Sequence, residues 1–174
     1  LRKKMYCADC GSLFRRKVLR STTAYWVCIG HDKKRKPECC IGPIPEAEVF
    51  SAFCHLYYKL KKQSGPILEQ MLTSLQVIHN HRMLWSPDII SLNKRISELS
   101  SQNQTLMDAE SDMTAQQTQK ILDLLENGPD FLDAFDSELF GELIDKIIVE
   151  SNDSIRFRLK NGLELREQIE RAMR

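Results

Sequence analysis

Four cysteines near the start of the chain have the spacing of metal ligands. Two lie in the segment CADCG, and two more follow after gaps of seventeen and ten residues, which gives the set Cys7, Cys10, Cys28 and Cys39. Thiolates bind Zn2+ tetrahedrally, and the glycine that ends the segment, Gly11, lets the backbone turn around the ion. The spacing therefore predicts one structural zinc ion.

Spacing alone leaves the second half of this site open. Cys40 directly follows Cys39, and His31 forms a CxxH pair with Cys28 that also has workable ligand spacing. Cys54 is different, because it lies among apolar residues of a predicted helix, where a free cysteine behaves as a small core residue. Cys39, Cys40 and His31 thus remain alternatives for the fourth ligand.

The charge of the chain is distributed unevenly. The net charge is +1, but residues 1–40 carry eleven Lys and Arg against three Asp and Glu, whereas residues 81–174 carry eleven against eighteen. A metal-stapled ribbon displays basic side chains rigidly, which suits the phosphates of double-stranded DNA. The predicted DNA contacts lie on a hairpin and in the loop between the third and fourth cysteines. They are Arg15, Arg16, Lys17, Arg20, His31, Lys33, Lys34, Arg35 and Lys36.

The local patterns around the cysteines predict strands, and those after them predict helices. The alternating segments LRKKMYC, SLFRRKV and TTAYWVC are typical of a small β-ribbon and not of the βαβ unit that carries a redox CxxC. Pro45 then opens a helix with an acidic first turn. We expect Ser64-Gly65-Pro66 to break or kink this helix before a second one begins.

A heptad pattern starts after Ser86-Pro87-Asp88. A return helix from about Thr114 ends at the stop signal Asn127-Gly128-Pro129. Two such helices predict an antiparallel coiled-coil arm, which is either an ordinary helical pair or a projection that contacts a partner. The seam residues are Ile89, Leu92, Ile96, Leu99, Asn103, Leu106, Ile121 and Leu124.

The last segment predicts a helix and a hairpin. The spacing of Phe131, Phe135, Leu139 and Leu143 favours a helix over DFLDAFDSELFGELIDK, and IIVES and SIRFRLK read as strands around an Asn-Asp turn. The basic face of the second strand is either a solvated sheet edge guarded by charge or an added phosphate contact.

The fold expected from these elements is α+β. It comprises a zinc β-ribbon with flanking helices, an inserted antiparallel arm and a C-terminal helix plus hairpin. The expected domains are 1–62 for the ribbon and its helix, 63–85 for a connecting helix, 86–127 for the arm, and 128–174 for a closing unit that packs on the zinc module.

The order of these motifs resembles the C-terminal region of large serine recombinases, the integrases and transposases of phages and mobile elements. The residues that carry the resemblance are CxxCG, YWVC, the basic loop, GPIPEAEV, the heptad arm and ELIDKIIVESNDSIRFRLKNGLEL. In that family the fourth cysteine stands five residues before an Ile that begins the next helix. Cys39 is five residues before Ile44, so the resemblance favours Cys39 over Cys40.

The resemblance also implies a function. The zinc module is expected to dock in the major groove of an attachment-site half, and the arm to pair with an arm of another subunit. A recombination directionality factor is a further expected partner. The arm is shorter than is usual in that family, so self-association through it is left open.

No catalysis is expected from this part of such an enzyme. The serine catalytic domain of that family would precede the zinc module, so no serine here is assigned as a nucleophile. The sequence contains no run of eighteen apolar residues, and we expect a cytoplasmic protein of bacterial or mobile-element origin. The alternative function is a protein–protein interaction module with purely structural zinc.

Overall fold

A computed structural model of the 174-residue chain describes residues 1, 3–18, 23–32, 39–83 and 112–169. Several residues of the predicted functional sites lie outside this set. They are Arg20, Lys33, Lys34, Arg35 and Lys36 of the predicted DNA surface and Ile89, Leu92, Ile96, Leu99, Asn103 and Leu106 of the predicted seam.

The described residues form a mixed α+β fold, as predicted, with two small sheets. The first sheet has the order β2-β3-β4, where β2 is Phe14–Val18, β3 is Ala24–Cys28 and β4 is Ile44–Pro45. All pairs in this sheet are antiparallel. A single helical turn, α1 (Ile29–Asp32), follows β3 directly.

The second sheet joins the start of the sequence to its last third. Its order is β1-β5-β6-β7, with β1 at Met5–Cys7, β5 at Ile144–Val149, β6 at Ser154–Leu159 and β7 at Glu164–Gln168. The strands β5, β6 and β7 form an antiparallel meander, as the alternation in SIRFRLK predicts. The strand β1 is added to it in parallel, with Met5 opposite Ile147.

The long helix α2 covers Glu46–Met83 and begins where the sequence predicts. Glu46 and Glu48 lie in its first turn, where negative charge favours the helix dipole. Of the break or kink predicted at Ser64-Gly65-Pro66, the break is not seen, because the helix continues through Pro66. A proline inside a helix removes one backbone hydrogen bond, and here that loss does not end the helix.

An aromatic cluster holds α2 on the second sheet. The ring of Phe53 is fully buried and contacts the rings of Phe135, Phe140 and Phe157 at centroid distances of 5.6, 5.1 and 6.4 Å. Phe157 belongs to the buried face of β6, together with Ile155 and Leu159. This core therefore joins the first third of the sequence to the last third.

The closing helix is shorter than the phenylalanine spacing suggests. This helix, α4, covers only Ser137–Leu143, and Asp136 caps it by accepting from the backbone amides of Glu138 and Leu139. The prediction of a helix from Asp130 onward was wrong because Phe135 stacks on Phe50, at 4.0 Å between centroids, from a non-helical segment.

The chain divides into two compact units. The first consists of residues 1–62 and 129–174, and the second of residues 63–128. In the second unit, a helix α3 includes residues 112–127 and ends at the predicted Asn-Gly-Pro signal, with the amide of Gly128 donating to the carbonyl of Leu124. Ile121 and Leu125 of this helix are buried, and Leu124 is partly exposed.

The segment that returns to the first unit is anchored on α2. The hydroxyl of Tyr57 donates to the carbonyl of Pro129 at 2.8 Å, and Lys61 approaches Asp130 at 3.7 Å. Among the described residues, no helix is long and apolar enough to span a lipid bilayer.

Candidate metal centre

Four thiol groups meet at one end of the β-structure. The Sγ atoms of Cys7, Cys10, Cys28 and Cys39 all lie within 4.8 Å of one another. Three of the Sγ pairs are separated by 3.4, 3.6 and 3.8 Å. A tetrahedral zinc ion with Zn–S bonds of about 2.3 Å requires sulfurs about 3.8 Å apart, so the four sulfurs have the spacing of such a site.

The first two cysteines are positioned by the end of a strand and a tight turn. Cys7 is the last residue of β1, and Cys10 follows in the turn. The amide of Gly11 donates to the carbonyl of Cys7 at 2.9 Å, and Gly11 has a φ of +66°, in the left-handed region that favours glycine. This is the turn that the CADCG segment predicts.

The other two cysteines come from the end of β3 and the loop before β4. Cys28 ends β3, and Cys39 is buried where the chain approaches Ile44. Cys40 is exposed and outside the cluster. The placement of Cys39 inside the group and of Cys40 outside it distinguishes the two adjacent cysteines, which spacing alone does not.

His31 supports the cluster without belonging to it. Its Nδ1 lies 2.6 Å from the carbonyl oxygen of Cys39. Because a carbonyl can only accept, Nδ1 carries the proton in this hydrogen bond. The side chain that sequence analysis offers both as a ligand and as a DNA contact therefore holds the backbone of Cys39.

The burial and spacing of these thiols suit the binding of a metal cation. Burial raises the pKa of Cys7 and of Cys28, because it disfavours the thiolate. Burial also acts to raise the pKa of Cys10, but hydrogen bonds from Ser12 and the Cys28 thiol outweigh it and lower the value to about 6. Four neighbouring thiolates without a counter-ion would repel one another, so this donor set fits Zn2+, which binds four thiolates in structural sites.

Close packing around Cys10 depends on a glycine in α1. A Cβ atom at Gly30 would lie 2.9 Å from Cys10 Sγ and 3.0 Å from Ser12 Oγ. Glycine at this position lets the helical turn approach the sulfur, and any larger residue would push a ligand out of place.

The closing hairpin supports both halves of the cluster. The amide of Ala8, next to Cys7, donates to the carbonyl of Val149 at 2.9 Å. On the other side, the amide of Gly42 donates to Oδ1 of Asn152 at 2.7 Å. The turn between β5 and β6 therefore links the two cysteine-bearing loops.

The basic residues of β2 divide between its two faces. Arg15 and Lys17 both pair with the carboxylate of Asp32 at the end of α1. Arg16 makes a bidentate pair with Glu46 in the first turn of α2, with N–O distances of 2.8 to 3.1 Å. These three predicted DNA contacts thus do not form one surface.

The basic face of β6 is not a sheet edge. The strand lies between β5 and β7, so the edge interpretation was wrong. Arg156 pairs with Glu150 and Glu164, and Lys160 approaches Glu142 at 3.5 Å. Carboxylates on neighbouring elements balance these cations.

Sequence reasoning misses two residues that shape the site. Asp32 and Asn152 carry no motif, and their roles arise from contacts with strands and loops far along the chain. One signal could have indicated Asp32. It is an acidic residue that directly follows the CxxH pair within a basic region.

The ribbon and its clustered cysteines define a zinc-ribbon type of metal-binding module. Residues 1–57 match the family model of the recombinase zinc beta ribbon domain. This part of the chain is therefore similar to a non-catalytic region of recombinases, which confirms the resemblance for the ribbon and the start of α2. No curated protein and no solved structure gives a significant match to the chain.

The match and the cysteine cluster support the same role. A recombinase zinc ribbon with four sulfurs at metal-binding distance indicates zinc binding and a recombinase-associated role in DNA binding.

Proposed function

We propose that the chain is the attachment-site DNA-binding part of a serine recombinase of a mobile element. The observation that supports this most directly is a four-cysteine cluster in a region that matches the recombinase zinc ribbon. In this proposal the chain recognises DNA and contacts other subunits during integration, and the catalytic serine belongs to another part of the recombinase.

A single structural zinc ion is the proposed cofactor. Cys7, Cys10, Cys28 and Cys39 would hold it with all four coordination positions filled by sulfur, which leaves no open position for substrate. When bound, the ion supplies a positive charge that stabilises the thiolates and fixes the ends of β1 and β3. Its contribution is folding free energy, because the small ribbon has little core of its own.

The proposed DNA surface includes Arg15 and Lys17. Both side chains are about 40% exposed and lie on one face of β2, where they can reach phosphates. Arg16 lies on the other face of β2, where its guanidinium makes a bidentate pair with Glu46, so it does not share this surface. The loop of Lys33, Lys34, Arg35 and Lys36, with Arg20, completes the proposed surface on the basis of sequence alone.

The proposed role of segment 86–127 is inter-subunit contact in synapsis. Buried Ile121 and its neighbour Leu124 belong to the described part of this segment. A matching arm on a second subunit, and a directionality factor, are the partners that the resemblance implies.

Equilibrium binding tests the DNA proposal. A short fluorescein-labelled duplex that carries a half-site would be titrated with the zinc-loaded protein at several salt concentrations. We expect affinity to fall steeply with salt, since each phosphate contact contributes a slope of about −0.9 in log K against log salt. Salt-independent or absent binding with zinc bound would refute the assignment.

A matched pair of double substitutions locates the surface. Arg15→Gln with Lys17→Gln removes two cations from β2, and Arg158→Gln with Lys160→Gln removes two from the end of β6 and the turn that follows it. We expect the first pair to weaken binding about tenfold or more and to reduce the salt slope by about two, and the second to have a small effect. Equal effects of the two pairs would favour net charge over a defined surface, and no effect of either would favour a protein-interaction module.

A further inference from the structure

The carboxylate of Asp32 lies beside the proposed DNA-contacting side chains of β2. It contacts both the Nη2 atom of Arg15 and the Nζ atom of Lys17. These two residues are two apart on one strand, so their side chains share a face. Two cations and one carboxylate therefore occupy one small area of the surface.

Exposure differs within this group of three residues. The side chain of Asp32 is 16% exposed, whereas those of Arg15 and Lys17 are 40% and 41% exposed. The cations cover the carboxylate and remain open to solvent. A DNA phosphate can approach them from outside, but it does so with a fixed negative charge directly behind them.

Arg16 makes a comparable pair on the other side of the strand. Its guanidinium pairs with Glu46 of α2, with side chains that are 47% and 16% exposed, and this contact fixes the helix to the ribbon. Asp32 differs because its one carboxylate contacts two cations of the strand, Arg15 and Lys17.

We propose that Asp32 limits the affinity of the Arg15 and Lys17 surface for DNA phosphate. A phosphate at this surface competes with the carboxylate for the same N–H donors and is repelled by its charge. Because phosphate binding supplies most of the affinity for arbitrary sequences, Asp32 lowers non-specific binding. The inference rests on the proposed DNA-binding function and assigns a regulating residue to that surface.

The test compares two substitutions that change net charge equally. Asp32→Asn removes the carboxylate beside Arg15 and Lys17. Asp145→Asn is the control, because Asp145 also faces a cation, Arg158 at 3.9 Å, but lies on β5 of the other sheet. Affinity for a labelled duplex of arbitrary sequence would be measured by fluorescence anisotropy at several salt concentrations, with zinc content and circular dichroism checked for each protein.

We expect Asp32→Asn to bind this duplex about fivefold to tenfold more tightly at 0.1 M salt. The salt slope should steepen by about one, because one more phosphate is neutralised. Asp145→Asn should bind like the unmodified protein. If Asp32→Asn misfolds, Asp32→Ser provides the same loss of charge with a smaller side chain.

A further variant tests whether the effect depends on the two cations. In a protein that already carries Arg15→Gln and Lys17→Gln, Asp32→Asn should increase affinity much less, because competition for the two cations is gone and only the repulsion by its charge is relieved. Unchanged or weaker binding by Asp32→Asn, or an equal gain from Asp145→Asn, would overturn the inference while the DNA-binding function stands. If the unmodified protein binds no duplex even at low salt, the proposed function itself fails.

Discussion

Oδ1 of Asn152 accepts a hydrogen bond from the backbone amide of Gly42 at 2.7 Å, across 110 residues of sequence. Gly42 follows Cys39 by three residues, and Asn152 lies in the turn between β5 and β6. The hydrogen bond fixes the loop that carries Cys39 to a hairpin from the last third of the chain. The stability of the proposed zinc site should therefore depend on a residue remote from all four cysteines.

Loss of this hydrogen bond should destabilise the fold. We expect Asn152→Ala to lower the free energy of unfolding by about 1 kcal/mol, because the amide of Gly42 loses its acceptor. Asn152→Asp keeps an oxygen acceptor and should lose less. Urea denaturation of the zinc-loaded proteins measures both values. Equal losses for Ala and Asp would show that the acceptor is not the source of the stability.

Substitution of the adjacent residues Cys39 and Cys40, one at a time, tests which of them binds zinc. We expect Cys39→Ser to lose most of its zinc during dialysis against a chelator, because a serine hydroxyl replaces a thiolate ligand. Cys40→Ser should keep one zinc ion per chain, since Cys40 is exposed and outside the cluster. Metal analysis with thiol titration gives both results. Zinc loss from Cys40→Ser with retention by Cys39→Ser would reverse the assignment.

Two glycines in helices give a test of packing against a ligand. A methyl group at Gly30 would meet Cys10 Sγ at 2.9 Å, whereas one at Gly141 in α4 would meet no atom within 4 Å. We expect Gly30→Ala to weaken zinc binding at least tenfold in chelator competition. Gly141→Ala should leave zinc binding unchanged and raise stability by about 0.5–1 kcal/mol, because alanine favours the helix. Normal zinc affinity of Gly30→Ala would show that α1 can move without cost.

The contacts of Glu150 with Arg156 and Arg166 in the second sheet predict that the stability of the protein falls in acid. Hydrogen bonds from Arg166 and then Arg156 lower the pKa of Glu150 below its ordinary 4.5, against the raising effect of burial. A carboxylate whose folded pKa is lowered stabilises the protein above the unfolded value, and this stability is lost as the pH falls through the folded value.

The matched variant for this prediction is Glu150→Gln. We expect the unmodified protein to exceed it in stability above about pH 4.5, and the difference to shrink at lower pH. Comparison at each pH cancels the competition of protons with zinc, since both proteins keep the same cysteines. Denaturant midpoints measured across this range provide the check. A difference that stays constant with pH would contradict the assigned role of Glu150.

The division into two compact units predicts that the second unit, residues 63–128, can be removed. We expect residues 1–62 joined to 129–174 by a short Gly-Ser linker to fold and bind one zinc ion, because β1 and its sheet partners all lie in this unit. Residues 1–62 alone lack β5, β6 and β7 and should not unfold cooperatively. Circular dichroism with zinc titration tests both proteins. Folding of the short piece alone would show that the closing hairpin is dispensable.

Local patterns account for what the sequence predicts well. The CADCG turn, the acidic start of α2, the stop after Asn127 and the alternation of Ile155, Phe157 and Leu159 each depend on neighbouring residues. Such features follow from backbone geometry and periodicity, so no knowledge of the tertiary fold is needed.

Features set by distant contacts were not predictable in this way. The parallel pairing of β1 with β5 and the bond between Arg16 and Glu46 depend on how remote segments meet. Phe131 and Phe135 have helical spacing, but Phe135 stacks on Phe50, and Phe131 makes a T-shaped contact with Tyr58. Aromatic packing in this segment produces the residue spacing that a helix would also produce, so the spacing alone does not distinguish the two.

The parallel pairing of β1 with β5 also has a consequence for the timing of synthesis. The side chain of Lys4, the residue before β1, donates to the carbonyl of Ile144 in β5, and these two residues are 140 apart in the sequence. At about 5–20 residues per second, a ribosome needs on the order of 10 s to deliver the partner strand after β1 has emerged. All four clustered cysteines are made well before that strand, so a metal ion captured by the nascent chain would keep the cysteine-bearing segments close together until the second sheet is translated and completes the fold.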